Sequence, residues 1–287
     1  MYIFAIDYAI CSISQTKDMG IVPDSYNYLE DFLSGIRSMG RYAFSLEEVK
    51  EKFQLSDKAV NQALYRLKIK KRIAQVRKGF YAILSPEYSS QGMVPPSLFI
   101  DDMMKSLGKR YYVGLISAAA LHGAAHQQPM EYFVITERPP LRAIKTKHLK
   151  INFYIKKEWA EQDIVQIKTD AGYINVSSPE LTALDLLYYI ESIGLNHTYT
   201  ILQELVTELK VPNLSKTARL YPRTAAIQRL GYILDHALCE YKLSEALYKV
   251  LSERNYFPVF LALDKEKVGE TDNRWKIVKN TILESDL

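Results

Sequence analysis

The sequence predicts an α+β protein: an N-terminal winged helix-turn-helix followed by a mixed α+β C-terminal domain. Three observations carry this. Residues 44–84 read as helix, tight turn, helix and two-strand hairpin. After residue 98, helical and strand-type patterns alternate. The chain has 287 residues with a 48% apolar fraction, which is globular and leaves room for two domains.

Residues 1–22 are predicted as an N-terminal extension whose secondary structure the pattern leaves open. The start, MYIFAIDYAICSIS, is apolar but lacks a basic leading segment and contains Asp7, so it does not read as a signal peptide. The DNA-binding domain is expected over 23–86. Its first helix runs from Pro23 to Met39, capped by Asp24 or Ser25, with Leu29, Phe32, Leu33 and Ile36 on its apolar face and Gly40 at its end. Ser45 with Glu48 three residues on has capping-box spacing, in which each side chain satisfies a backbone N–H that the helix start leaves unpaired. Leu46, Val49 and Phe53 then form one stripe, Gln54-Leu55 the turn, and Ser56 the cap of the next helix, with Asp57 in its first turn.

In that helix Val60, Ala63, Leu64 and Leu67 share a face. The opposite face carries Lys58, Gln62 and Tyr65, flanked by Asn61 and Arg66. From Lys58 through Lys78 there are eight Lys/Arg and no Asp or Glu, although a solvated helix face ordinarily mixes signs. Asn, Gln and Arg are side chains that reach base edges, and Lys, Arg and Tyr those that reach phosphates. Arg72–Val76 and Phe80–Leu84 read as strands joined at Arg77-Lys78-Gly79, where Gly supplies the positive φ of a tight hairpin. The predicted base-reading residues are therefore Lys58, Asn61, Gln62, Tyr65 and Arg66. The predicted phosphate and wing contacts are Lys68, Lys70, Lys71, Arg72, Arg77 and Lys78. The competing reading is a small helical subdomain with a solvated basic face; agreement of charge, polarity and hairpin favours DNA.

Ser85-Pro86 stops the last strand, and 87–97, with Ser89-Ser90, Gly92 and Pro95-Pro96, is predicted as a linker. The second domain is predicted over 98–287. Its helices are expected at Leu98–Leu107 and at Tyr111–His122, the latter lined with small residues for close packing. Strands follow at Glu131–Thr136, Leu149–Ile155, Ile164–Thr169 and Tyr173–Val176. Ser178-Pro179 opens a helix with Leu181, Leu184, Leu187 and Tyr188 buried. Further helices are predicted at Tyr199–Leu209, Thr224–Leu238 and Leu243–Ser252, and a closing hairpin from Phe257–Leu263 and Trp275–Val278.

The net charge of +4 is mild, so the basic character is local rather than global and points to a local anionic partner. Cys11 and Cys239 are too far apart to suggest a disulfide framework or a thiolate metal site. No apolar run reaches the ~18 residues of a membrane span, and a cytoplasmic protein is the default. His122 and His126 have the spacing of two ligands on a helix face. A zinc-hydrolase pattern would need Glu directly after His122, however, and Gly123 stands there and ends the helix. No metal or other cofactor is expected. There is no Gly-rich phosphate loop, serine nucleophile elbow or paired-carboxylate motif, and Asp101-Asp102 diverge on a helix. Asp185, amid apolar residues, reads as a satisfied polar group ahead of a functional one. Arg138–Lys157 holds seven Lys/Arg and no acid. Arg138, Arg142, Lys145, Lys147 and Lys150 there read equally as a second nucleic-acid surface or as a solvated loop with an amphipathic strand.

Four stretches resemble the AbiEi family. They are RKGFYAI (Arg77–Ile83), YYVGLISAAALHG (Tyr111–Gly123), SSPELTALDLL (Ser177–Leu187), and RLGYILD with NRWKIVKN (Arg229–Asp235, Asn273–Asn280). AbiEi proteins are antitoxins and autorepressors of type IV toxin–antitoxin, or phage abortive-infection, operons. The resemblance implies a division of labour: the winged helix represses the operon by binding double-stranded DNA at promoter repeats, and the C-terminal domain counteracts a nucleotidyltransferase-type toxin, with or without a stable complex. It brings no catalytic residue onto this chain, in keeping with the lack of a catalytic constellation in the residues themselves. Two other functions stay open at this point: a one-component regulator whose C-terminal domain senses a small molecule, and an enzyme that uses the winged helix for targeting.

Overall fold

A computed structural model describes residues 27–124 and 131–284. The predicted extension 1–22, the start of the first helix with its cap, and His126 lie outside the described residues.

The N-terminal unit forms where the local signals lie. Helix α1 (Asn27–Ser38) buries Leu29, Phe32, Leu33 and Ile36, and Gly40 leaves it at φ 76°. Strand β1 (Ala43–Ser45) leads into α2 (Leu46–Phe53) through a complete capping box. Ser45 Oγ accepts from the Glu48 N–H at 3.1 Å, and Glu48 Oε2 accepts from the Ser45 N–H at 2.6 Å. Gln54 turns the chain in the left-handed region, and Ser56 caps α3 (Asp57–Ile69) by accepting from the Ala59 N–H. Val60, Ala63, Leu64 and Leu67 are the buried side of α3. Strands β2 (Ile73–Arg77) and β3 (Phe80–Ile83) close the hairpin, with Gly79 at φ 76° and a bulge between Gln75 and Arg77. The unit is thus three helices with an antiparallel three-stranded sheet of order β1-β3-β2.

This small sheet is buried on both faces, as period-two alternation allows. Phe44, Ile73, Tyr81 and Ile83 pack on the three helices. Ala43, Val76, Phe80 and Ala82 face the other way and join the core of the second domain. Arg41 reinforces the join. Its NH1 donates to Glu48 Oε1 at 2.7 Å, and its Nε donates to Asp102 Oδ2, on helix α4 (Ile100–Ser106), at 3.0 Å. Burial pushes the Asp102 carboxyl up, against the pull of Arg41. Burial acts in the same sense on Glu48, but hydrogen bonds from Arg41 and Ser45 outweigh it and hold that carboxyl low.

The second domain is built on a six-stranded sheet of order β6-β7-β5-β4-β9-β8. Its strands are β4 (Tyr111–Val113), β5 (Tyr132–Thr136), β6 (Ile144–Lys145), β7 (Lys150–Ile155), β8 (Ile164–Thr169) and β9 (Gly172–Ser177). The β5–β7 and β4–β9 pairs are parallel and the rest antiparallel. Tyr111, Val113, Val134, Ile151 and Val176 pack against Met103 and Met104 of α4 and the outer face of the small sheet. Tyr112, Phe133 and Ile135 point to the opposite side, into a helical layer. That layer comprises α5 (Leu115–Leu121), α6 (Pro179–Tyr188), α7 (Ile190–Ile193), α8 (Leu195–Leu205), α9 (Val211–Leu220), α10 (Thr224–Tyr232) and α11 (Tyr241–Ser252).

Several expectations are corrected. Tyr111–His122 is not one helix: Tyr111–Val113 is a strand hydrogen-bonded on both sides, and α5 begins only after Gly114. A Cβ at Gly114 would lie 2.8 Å from Ile135 Cδ1, so any larger residue there would have to displace the end of that side chain. The helix predicted from Leu98 is a 3₁₀ turn (Pro96–Leu98) followed by α4. Residues 87–97 are a packed connection rather than a loose one, with Met93 and Val94 buried in the shared core. The Thr224–Leu238 pattern changes pitch, passing from α10 into a π-turn at Ile233–Ala237. The C-terminal strands do not form the expected hairpin. Strand β10 (Val259–Phe260) runs parallel to β12 (Ile277–Lys279), and the antiparallel partner of β12 is β11 (Glu270–Asp272), from the stretch between the two predicted strands.

Candidate nucleic-acid interface

The buried side of α3 fixes what its other side presents. With Val60, Ala63, Leu64 and Leu67 turned into the core, Lys58, Asn61, Gln62, Tyr65 and Arg66 are all exposed, Tyr65 at 63%. These side chains stand on one rigid helix, whose width suits the major groove of B-form DNA.

The predicted phosphate contacts divide into several situations. Lys68 Nζ donates to Gln75 Oε1 at 3.0 Å, bracing α3 against β2. Lys70 follows the last turn of α3, and its backbone N–H closes on the Arg66 carbonyl. Lys71 is exposed at φ 53°, the left-handed residue that turns the chain from α3 toward β2. Arg72 pairs with Glu30 of α1 at 3.0 Å. At the hairpin tip Arg77 is half-buried and Lys78 exposed.

The acid-free window is not acid-free in space. Besides Glu30 at Arg72, Asp57 pairs with Lys50 of α2 at 2.7 Å. Glu47 Oε1 lies 4.0 Å from where a Cβ on Gly79 would stand, so a carboxylate sits near the hairpin tip. The surface is thus a basic helix face with acids along its edges. Sequence reading also passed over Ile69, 63% exposed on the last turn of α3, and Gln75, whose contact with Lys68 crosses from strand to helix. Neither has a local signal.

The second basic stretch is brought together only in part. Arg138, Arg142, Lys145 and Lys147 are exposed. Lys150, expected with them, is instead ion-paired with Glu131, which also accepts from Asn152 Nδ2 at 2.5 Å. Position alternation put Lys150 and Asn152 on one face; their shared acid comes from the neighbouring strand region. Lys156, from the same stretch, is buried.

Lys156 belongs to a polar knot in the core. Asp185 of α6, fully buried, accepts from Tyr112 OH (2.7 Å), Tyr221 OH (2.7 Å) and Lys156 Nζ (2.6 Å). The Lys156 ammonium also lies 4.3 Å from the centre of the Tyr221 ring. Burial and the Asp185 charge push the Tyr112 and Tyr221 hydroxyls well above the usual tyrosine range, so both remain donors. Asp185 is therefore a satisfied polar group. His122 Nε2 donates to the Ser177 carbonyl at 2.7 Å. Among the described residues no group of three or more His, Cys, Asp or Glu side chains could hold a metal ion. No helix of the described residues is long and apolar enough to cross a membrane.

The fold is thus a unit of three helices and a three-stranded sheet, joined through that sheet to an α+β domain. Residues 112–236 match the family model of the AbiEi antitoxin C-terminal domain, the family that the sequence motifs resemble. The matched segment contains all four residues of the polar knot. The crystal structure of the RV2827C protein from Mycobacterium tuberculosis is similar to 88% of this chain and 91% of that one, with a TM-score of 0.60. At 16% identity that likeness is one of fold. No curated protein matches the chain.

Proposed function

We propose that the protein is a DNA-binding transcriptional autorepressor and the antitoxin of a type IV toxin–antitoxin operon, acting against a nucleotidyltransferase-type toxin. The observation that carries the DNA reading is the outer face of α3: Lys58, Asn61, Gln62, Tyr65 and Arg66, all exposed on one helix with Lys78 at the hairpin tip beside it. In this reading α3 enters the major groove, Asn61, Gln62 and Arg66 address base edges, and Lys58, Lys70, Lys71 and the hairpin tip hold phosphates. Lys68, bonded to Gln75, and Arg72, paired with Glu30, also brace the helix. The antitoxin reading rests on the match over residues 112–236. The cytoplasm, where DNA and toxin both are, is the compartment it requires.

The test is fluorescence-anisotropy binding to the DNA upstream of the protein's own gene, beside a random duplex, across a salt series. Tighter binding to the upstream DNA with a steep salt slope is the expected result. Equal, weak binding to both duplexes would remove the repressor role. Co-expression with the product of the adjacent gene tests the antitoxin role separately: rescue of growth from a nucleotidyltransferase-like neighbour is expected.

A further inference from the structure

Helices α9 and α11 lie side by side and leave a groove of about 580 Å³ between their outer rows. On α9, Val211, Ser215 and Arg219 recur every four residues and form one row along the helix. From α11, Tyr241, Ala246 and Val250 give the groove an apolar lining. This row does not hold the two helices to the domain: Leu214 and Ala218 of α9, with Leu243, Leu247 and Leu251 of α11, already do so from the buried side. Val211 and Tyr241, 37% and 64% exposed, are spare apolar surface at the groove's rim, over a floor of buried Ala246 and Val250.

The charges around the groove are unbalanced. Arg219 is neutralised by Glu253 at 2.9 Å, and Glu245 by Arg274 at 2.5 Å. Lys242 and Lys249 remain, both exposed and without an ion pair among the described residues. They are seven residues apart on α11, so they stand on the same side roughly 10 Å from each other. An elongated apolar trough with two free ammonium groups along one wall is complementary to a helix that has an apolar stripe and acidic side chains two turns apart.

We propose that the α9–α11 groove is a protein-docking surface that accepts an acidic amphipathic helix from a partner protein. A nucleic acid strand fits it less well, because Val211, Ala246 and Val250 offer phosphates nothing. The proposal is independent of the DNA-binding role of α3, which lies in the other unit.

The experiment uses the full chain and a fluorescein-labelled, hydrocarbon-stapled peptide of about 18 residues, with Leu at helical i, i+3, i+4 and i+7 spacing and Glu beside the stripe. A twin peptide carries Lys in place of each Glu, and an oligothymidine of matched charge stands for nucleic acid. Saturable binding of the acidic peptide is expected, weakened tenfold or more by Lys242→Glu/Lys249→Glu and by Val211→Asp. The Lys twin is expected to prefer the Lys242→Glu/Lys249→Glu protein, which a merely misfolded variant would not produce. Three results would each overturn the proposal. They are no saturation up to about 1 mM acidic peptide, equal binding to wild type and both variants, and oligothymidine bound more tightly than the peptide with loss in the double variant. The last would make the groove a phosphate surface.

Discussion

The Tyr112 hydroxyl donates a 2.7 Å hydrogen bond to Asp185 at a point where neither residue meets solvent. Its neighbour Tyr111 points through the other face of the same strand and donates to Asp101 of α4 at 3.0 Å. Two consecutive tyrosines on β4 thus pin the helical layer and the α4 layer to opposite sides of one sheet. Because Asp185 is also the counter-charge of buried Lys156, removing it strands an ammonium in the core. Asp185→Ala is expected to cost about 3–5 kcal/mol. Urea unfolding followed by circular dichroism checks this. Asp185→Leu combined with Lys156→Met should cost less than the sum of the single changes, since no unpaired charge remains.

Gly231 of α10 has no room for a methyl group, because a Cβ there would fall 1.9 Å from the Trp275 ring. The indole is fully buried, and its Nε1 donates to Asp235 at 2.8 Å. Gly231→Ala should therefore displace the tryptophan, at a cost of about 1–3 kcal/mol or more from overpacking. A red shift in tryptophan emission with a lowered melting temperature is the expected signature. Unchanged emission would mean that the ring and helix accommodate the methyl without moving apart.

Acid titration should separate the two carboxylates that Arg41 joins. Glu48 is held low in the fold, so its contribution is present above its unfolded value and is lost as pH falls through the lowered folded one. Asp102 is raised, by burial first, so falling pH relieves a penalty there and favours the fold. Asp102→Asn removes the relief and leaves the loss. As pH falls through the carboxylate range, its urea midpoint should fall more steeply than that of the wild type. Parallel profiles would show that Asp102 titrates alike in both states.

Lys71 permits a test in which fold and charge move in opposite directions. At φ 53° it occupies a conformation that favours glycine, so Lys71→Gly should leave stability unchanged or raise it by about 0.5–1 kcal/mol. If Lys71 holds a phosphate as proposed, the same change weakens every duplex alike and lowers the salt slope by about one. Arg66→Ala should instead relax sequence preference at a cost of about 1–3 kcal/mol. Wild-type affinities of Arg66→Ala for both specific and random DNA would remove its base-reading role.

What was legible in the sequence was local. The Ser45–Glu48 box, the Ser56 cap, the four-residue stripe of α3 and Gly79 at the hairpin each follow from residues within one or two turns, and all appear as expected. The Ser178-Pro179 helix start is of the same kind. What was misread depended on partners distant in the chain. Tyr111–Val113 is a strand because β5 and β9 flank it, while the small residues after Gly114 made the whole stretch look helical. The parallel β10–β12 pair leaves no turn signal to read. Helix α9 escaped notice because half of VPNLSKTARL is polar and a Pro stands near its start, where it lies harmlessly in the first turn. Lys156 and Lys150 looked like solvated charge until Asp185 and Glu131, far along the chain in sequence, were set beside them.

The sheet β1-β3-β2 is a wall with rooms on both sides. Cut away after Leu84, the N-terminal unit would carry Tyr42, Val76, Phe80 and Leu84 as a bare apolar plate, and the remainder would open a matching wound above Met103 and Met104. The unit that carries α3 is therefore no portable cassette for recombination to lift out and graft elsewhere. The two halves are bound to travel together through descent, and a change of size at Val76 or Phe80 calls for its answer across the wall rather than in its own half.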